Sequence, residues 1–276
     1  MTGLRSRALL WVALALFTVW TLAPIVWAVV SSLYPTSALT STPMDLSVDR
    51  LTFKSFAASF TSRGPNLLEA MRNSLIIAVA ASCLGVIIGA PAGYALANLG
   101  IRRGGFILMA VLASQMFPAV VLVIPLFVVL AGLGLVGTYA ALIIVHLTFI
   151  VPIVIWVTKG FFEAIPPQLE KSAAIDGAGM WNTFRLIVLP LAAPSIFAVG
   201  VFAFIESWNE FFFAIILSSS RTKTVPITIS EFSGQFQTLY GEMIAASVIS
   251  SIPVVLLAIV FRRYLVEGFV EGSVKG

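Results

Sequence analysis

Five stretches of the chain contain no Asp, Glu, Lys or Arg: Ala8–Val30, Ser74–Ile101, Gly104–Thr158, Leu186–Ile205 and Met243–Phe261. A helix crosses the roughly 30 Å hydrocarbon layer of a bilayer with about 20 apolar residues, so each stretch is long enough to cross at least once. Gly104–Thr158 is too long for one crossing, and Gly132-Leu-Gly134-Leu-Val-Gly137-Thr138 near its middle is turn chemistry that splits it in two. The pattern predicts an all-α integral membrane protein of six transmembrane helices, over residues 8–30, 74–99, 106–130, 138–159, 191–217 and 243–262. The fifth continues past Glu206 and Glu210 to Leu217. An even number of crossings leaves both ends of the chain on one side.

The polar intervals are connectors, with one exception. Ser31–Arg72 is rich in Ser, Thr and Pro and is expected to hold a short helix near Phe53–Phe60; Ser218–Glu242 is expected to carry Val225-Pro226-Ile227-Thr-Ile229 as an extended run. Both read first as solvated loops, with contact to an external partner as the alternative. The exception is the loop over residues 163–190. Pro166 and Pro167 suit the first turn of a helix, where no intrahelical N–H is missed. Downstream, Glu170, Ala173, Ala174, Gly177, Ala178 and Trp181 recur at steps of three and four and share a face. Most of that face is small, so another backbone can approach it closely. Gly177 stands where a left-handed residue would end the helix, and Leu186-Ile187-Val188-Leu189-Pro190 returns the chain to the apolar layer. A soluble protein gripping this loop is one reading; an amphipathic helix lying at the headgroups is the other.

Composition supports the bilayer: 59% of residues are apolar and 10% charged, against about a quarter charged in soluble domains, and mean hydropathy is +1.05. Charge then orients the chain. With six crossings, one side receives Arg5, Arg7, Arg102, Arg103, Lys159, Lys171, Arg185, Arg262, Arg263 and Lys275; the other receives Arg50, Lys54, Arg63, Arg72, Arg221 and Lys223. The first side is expected to be cytoplasmic, with both termini on it, because positive charge concentrates there. The net charge of +4 comes without a clustered basic face, so a nucleic-acid partner is not expected. The apolar run after Arg5 and Arg7 outlasts the roughly 7–15 residues of a signal-peptide core and is read as a span. Cys83, the single cysteine, has no disulfide partner in the chain and is expected to pack as a small hydrophobe.

Polar groups inside the apolar stretches are the next candidates. A charge near the bilayer centre costs at least a few kcal/mol unless it faces protein or a wet cavity. Glu206, Asn209, Glu210 and Phe213 follow helical spacing and form one stripe, which is expected to line either a pathway or a subunit interface. With Trp208 they offer the carboxylates, amide and aromatic face that suit a sugar; interhelical hydrogen bonding is the plainer role. Gln115 and His146 are lone polars with no relay partner at helical spacing, so proton coupling is not expected. No Cys/His cluster suggests a metal site, and no nucleophile-and-base pair suggests catalysis.

In the loop after the fourth span the spacing resembles the EAA motif of binding-protein-dependent ABC importer permeases: EAA, three residues, Gly, nine residues, Ile-x-Leu-Pro. Gly177, Ile187, Leu189 and Pro190 match at those intervals, and Ile175-Asp176-Gly177-Ala178 is similar to the Asp-Gly-Ala form of carbohydrate importers. The triplet itself departs, reading Lys171-Ser172-Ala173, with Glu170 one place earlier as the candidate replacement carboxylate. Asn73-Ser74-Leu75, Tyr94-Ala95-Leu96, Trp208-Asn209-Glu210-Phe211 and Gly272-Ser-Val-Lys275-Gly276 extend the resemblance, over about 200 residues, to the MalG-type permease subunit.

That resemblance implies a single importer transmembrane domain over residues 1–276, one of a pair of homologous permease subunits lining a shared pathway. It implies further partners: two ATP-binding subunits and an extracytoplasmic solute-binding protein. It assigns Glu170, Lys171, Ser172, Ala173, Asp176, Gly177, Ala178, Trp181, Ile187, Leu189 and Pro190 to coupling with the ATP-binding subunit. The chain has no Gly-x4-Gly-Lys-Ser/Thr phosphate loop, so no cofactor is expected on it, and ATP and Mg are expected on the partner subunits. Sugar import is the function implied. A non-sugar cargo such as glycerol phosphate or a polyamine is the alternative, and an autonomous secondary transporter the third reading.

Overall fold

The computed structural model describes residues 2–60, 66–234 and 237–264, with side chains from residue 7. The helices are α1 (Thr2–Ser31), α2 (Thr36–Leu39), α3 (Lys54–Ala58), α4 (Leu67–Asn98), α5 (Gly104–Ala113), α6 (Ala119–Gly132), α7 (Tyr139–Ala164), α8 (Pro167–Ile175), α9 (Met180–Thr183), α10 (Leu189–Asn209), α11 (Phe212–Leu217), α12 (Val225–Ser230) and α13 (Tyr240–Val260). No strand occurs among the described residues beyond an isolated bridge between Ser233 and Thr238. The terminal Gly272–Gly276 resemblance lies outside the described residues.

By their contacts the residues fall into two units, 1–68 with 228–252 and 69–227 with 253–276. The first is held by polar ties, two of them to the first turn of α13. Thr36 Oγ1 accepts from the Gly241 N–H at 2.9 Å and donates to Glu242 at 3.1 Å, while the Tyr34 hydroxyl donates to the Leu46 carbonyl at 2.9 Å. Asp45 pairs with Arg50 at 3.0 Å. Along α1 an 18-residue apolar window within Arg7–Ser31 has none of its residues buried by the chain. In water such a surface would not persist; in lipid it needs no protein cover, because the helix satisfies its own backbone.

The second unit contains the tightest packing. Gly85, Gly89 and Gly93 of α4 face Ile150, Val154 and Thr158 of α7, and a Cβ on Gly93 would sit 2.3 Å from Thr158 Oγ1 and 3.0 Å from the backbone of Ile155 and Lys159. Glycine at steps of four removes the side chains that would otherwise set the distance between the helices. At one end of this pair Asn73 donates to the carbonyls of Arg221 and Lys223 at 3.0 and 2.9 Å and accepts from the Tyr139 hydroxyl at 2.6 Å. Ser74 Oγ accepts from the Val225 N–H at 2.9 Å.

Several expectations are corrected. Among the described residues five helices are long and apolar enough to cross a membrane, and α5 through Met116 with α6, bent by 95°, supplies the sixth expected crossing if the pair counts as one span. The third span is therefore not one helix over 106–130. Pro118 has no N–H to give, and it forces Phe117 into an extended conformation (φ −72°, ψ 127°). By contrast Pro125, Pro152 and Pro253 lie inside continuous helices. The fifth span, expected as one helix over 191–217, is likewise broken after Asn209 and resumes at Phe212. Val225–Ile229 is helical within α12, not extended, with Ser74 capping Val225. Cys83 is exposed and does not pack inside the chain.

Candidate functional site

α8 starts at Pro167, in the first turn where its missing N–H leaves no gap. It ends in a Schellman turn: the Gly177 N–H donates to the Ala174 carbonyl at 3.2 Å and the Ala178 N–H to the Ala173 carbonyl at 2.9 Å, with Gly177 at φ +81°. That left-handed conformation, not crowding, requires glycine, because a Cβ there would meet no atom within 4 Å. Beyond α9, residues Phe184–Val188 form one π-helical turn that runs into α10 just before Pro190. The wide turn absorbs the backbone donor that Pro190 cannot supply. Ile187 and Leu189, half-buried, and Pro190, exposed, thus lie where the loop joins the long helix.

The structure divides the predicted face of the loop. Ala173 is 4% exposed and packs inward, and Glu170 is half-buried against α4, its Oε1 accepting from Asn98 Nδ2 at 2.5 Å and its Oε2 from the Tyr94 hydroxyl at 3.3 Å. Lys171, Ser172, Asp176 and Gly177 are exposed and Ala178 partly so. The outward surface is not small. Ile175 is 87% exposed, and Met180 and Trp181 are 60% and 64% exposed. Sequence periodicity missed Ile175 because it falls off the face chosen for its small residues.

Beneath the loop is an aromatic root. The Tyr94 ring lies 4.8 Å from Phe184 and 5.6 Å from Phe162, and Trp181 lies 5.8 Å from Phe184. Val188, Ala192 and Ile196 continue this cluster into α10. The loop is therefore seated on the ends of three long helices, and its outer apolar side chains Ile175, Met180 and Trp181 stay more than half exposed among the described residues.

Within the apolar layer the expected stripe is split at the break after Asn209. Glu210 caps α11, its carboxylate accepting from the N–H groups of Phe213 at 2.8 Å and Ala214 at 3.0 Å. His146 is not alone. Fully buried, it has Nδ1 2.6 Å from Ser207 Oγ and Nε2 3.5 Å from Glu210 Oε2. Its partners lie 61 and more residues along the chain, on another span, which is why spacing within its own helix did not reveal them. Trp208 is buried and stacked on Phe204 with ring centroids 5.6 Å apart. Glu206 and Asn209 are exposed; Asn209 donates to the Ile205 carbonyl at 3.0 Å, and Glu206 edges an apolar groove with Phe149, Ile153 and Phe202. Gln115, also exposed, donates to the Thr148 carbonyl at 3.1 Å.

A loop with an exposed apolar crest, seated on a membrane bundle, belongs to a known architecture. Residues 81–270 match the family described as the inner membrane component of binding-protein-dependent transport systems. The chain is a member of that family. It is 34% identical over 274 residues to the trehalose transport system permease protein SugB of Mycobacterium tuberculosis, covering 98% of each chain. To the trehalose/maltose transport system permease protein MalG of Thermococcus litoralis it is 33% identical over 273 residues, again covering 98% of each. Its fold superimposes with a TM-score of 0.76 on a chain from the crystal structure of a bacterial ABC transporter involved in the import of alginate, at 21% identity, covering 95% of this chain and 97% of that one. The permease is thus an inner-membrane component of an ABC transport system that works with a binding protein.

Proposed function

We propose that this permease imports a sugar or sugar derivative, forming half of a translocation pathway with a second, homologous permease subunit. Two ATP-binding subunits and an extracytoplasmic solute-binding protein complete the assembly. ATP and Mg are held by the ATP-binding subunits, and this chain is non-catalytic. Both termini and the 163–190 loop face the cytoplasm, as the Lys and Arg distribution favours. Relatives at 30–34% identity carry names for trehalose, trehalose/maltose, sulfoquinovosyl glycerol and diacetylchitobiose transport, which supports a carbohydrate cargo over a glycerol phosphate or polyamine.

The observation that carries the coupling role is the uncovered crest of Ile175, Met180 and Trp181 above the Gly177 turn. An ATP-binding subunit that seats on this crest and closes on its twin pulls α8 with it, and the aromatic root passes the displacement to α7 and α10. Glu206 and Asn209, exposed along the fifth span, face the pathway or the second permease; Trp208 and Glu210 hold the break that shapes that region. The test is Gly177→Trp. It is expected to leave membrane insertion intact and to abolish substrate-stimulated ATP hydrolysis in the reconstituted complex. Normal uptake of radiolabelled sugar by that variant would count heavily against the reading.

A further inference from the structure

The loop is covalently continuous with α7 at one end and with α10 at the other, so a pull on α8 reaches those two helices through the backbone. α4 has no such connection. Its last turn lies 72 residues upstream of Glu170 in the chain, and what joins it to α8 is a pair of hydrogen bonds to one carboxylate, from Asn98 Nδ2 to Oε1 and from the Tyr94 hydroxyl to Oε2. Tyr94 and Asn98 stand four apart and reach the same point from one face of α4. Among the described residues the Asn98 amide has no second anchor, because its Oδ1 is buried without a partner there. Among those residues Glu170 alone orients it.

We infer that Glu170 is a positioning residue of the coupling loop: it clasps α8 to the end of α4, so that displacement of the loop moves the second span together with the fourth and fifth. This rests on the coupling role proposed above. Hydrogen bonds from neutral donors to a carboxylate are the stronger kind, and two of them on one group resist a shift that either alone would yield to. α4 is in turn meshed with α7 through Gly85, Gly89 and Gly93, and it leads within a few residues into the bent pair α5 and α6. The clasp thus places the broken third span on the path of the motion. It also gives Glu170 a task within its own chain, separate from the outward residues Lys171, Asp176 and Trp181.

The test uses the whole complex, purified with its ATP-binding subunits and reconstituted in liposomes. The readout is the ratio of ATP hydrolysis with and without the solute-binding protein, supplied with a mixture of trehalose, maltose and diacetylchitobiose. Asn98→Asp sets a second carboxylate against Glu170 and is expected to lower this ratio about tenfold, the factor expected when a hydrogen bond to a charged group is lost, while the ATP-binding subunits still co-purify. The exchanged pair Asn98→Asp with Glu170→Gln rebuilds the clasp with donor and acceptor reversed: the new amide on α8 donates to the new carboxylate on α4, and its oxygen accepts from Tyr94. It is expected to restore the ratio, which a purely structural defect would not do. If Asn98→Asp assembles poorly, the exchanged pair decides alone. A normal ratio in Asn98→Asp, or no recovery in the exchanged pair, overturns the clasp. A wild-type complex that lacks ATP-binding subunits removes the coupling reading and the clasp with it.

Discussion

Replacing Gly93 by alanine probes the contact that sets the distance between α4 and α7. The new methyl would lie 2.3 Å from Thr158 Oγ1 and 3.0 Å from both the Ile155 carbonyl oxygen and the Lys159 nitrogen. The hydroxyl cannot easily rotate away, because it is bound to the Val154 carbonyl at 2.6 Å, and backbone atoms yield only if the helices separate. Overpacking of this kind costs about 1–3 kcal/mol, and alanine returns about 0.5–1 kcal/mol of helix propensity. The net expectation is a loss of up to about 2.5 kcal/mol, centred near 1 kcal/mol. At Gly85 the nearest obstacle is the Cγ2 methyl of Ile150, 2.4 Å away, and the three nearest atoms include no backbone, so the helices need not separate as far. Gly200→Ala is the control: the nearest atom is Val86 Cγ2 at 3.6 Å, an ordinary contact, and only the propensity gain remains. Reversible unfolding in mixed micelles, followed by tryptophan fluorescence, ranks the variants. Gly93→Ala should be least stable, Gly85→Ala intermediate and Gly200→Ala at or above wild type. In a Thr158→Ala background the Gly93→Ala penalty should shrink, as coupling between touching residues requires. Equal stability of Gly93→Ala and Gly200→Ala would refute the close packing of the two helices.

Other outcomes follow from the polar ties. Glu210→Ala removes the acceptor for the Phe213 and Ala214 N–H groups and should cost about 1–2 kcal/mol in the same unfolding assay, with Glu210→Gln losing less because one oxygen remains. His146→Leu keeps the volume and leaves Ser207 without its partner, so a loss of about 1–3 kcal/mol is expected; a silent variant would show that the buried imidazole has no polar role. Asn73→Ala frees the carbonyls of Arg221 and Lys223 and the Tyr139 hydroxyl together. It should speed proteolysis of the 218–224 segment, and an unchanged cleavage rate would count against that tie.

The apolar helices were legible in the sequence because a bilayer demands an unbroken apolar run, and such runs survive any rearrangement of their neighbours. The start of α8 at Pro167 and the left-handed Gly177 were legible for a related reason, since both are set by backbone chemistry within a few residues. What failed depended on distant partners. His146 looked solitary because Ser207 and Glu210 approach it from the fifth span, and Glu170 looked outward because Tyr94 and Asn98 are not its neighbours in the chain. The run Val-Pro-Ile-Thr-Ile at 225–229 suggests a strand by its β-branched residues, yet a cap supplied by Ser74 from α4 helps it close into a helix. Breaks inside spans were the hardest to place: Pro118 interrupts its helix whereas Pro125, Pro152 and Pro253 do not, and the difference lies in surroundings that a single position does not encode.

The coupling role stands or falls on what touches the crest of the loop. A photo-reactive cross-linker on Ile175→Cys, in a Cys83→Ser background, samples the most outward apolar side chain of α8. In intact cells the account predicts an adduct with an ATP-binding subunit, strengthened when ATP is trapped, and no labelling of the introduced thiol by membrane-impermeant reagents added outside. Labelling from outside, or adducts with phospholipid alone, would contradict it.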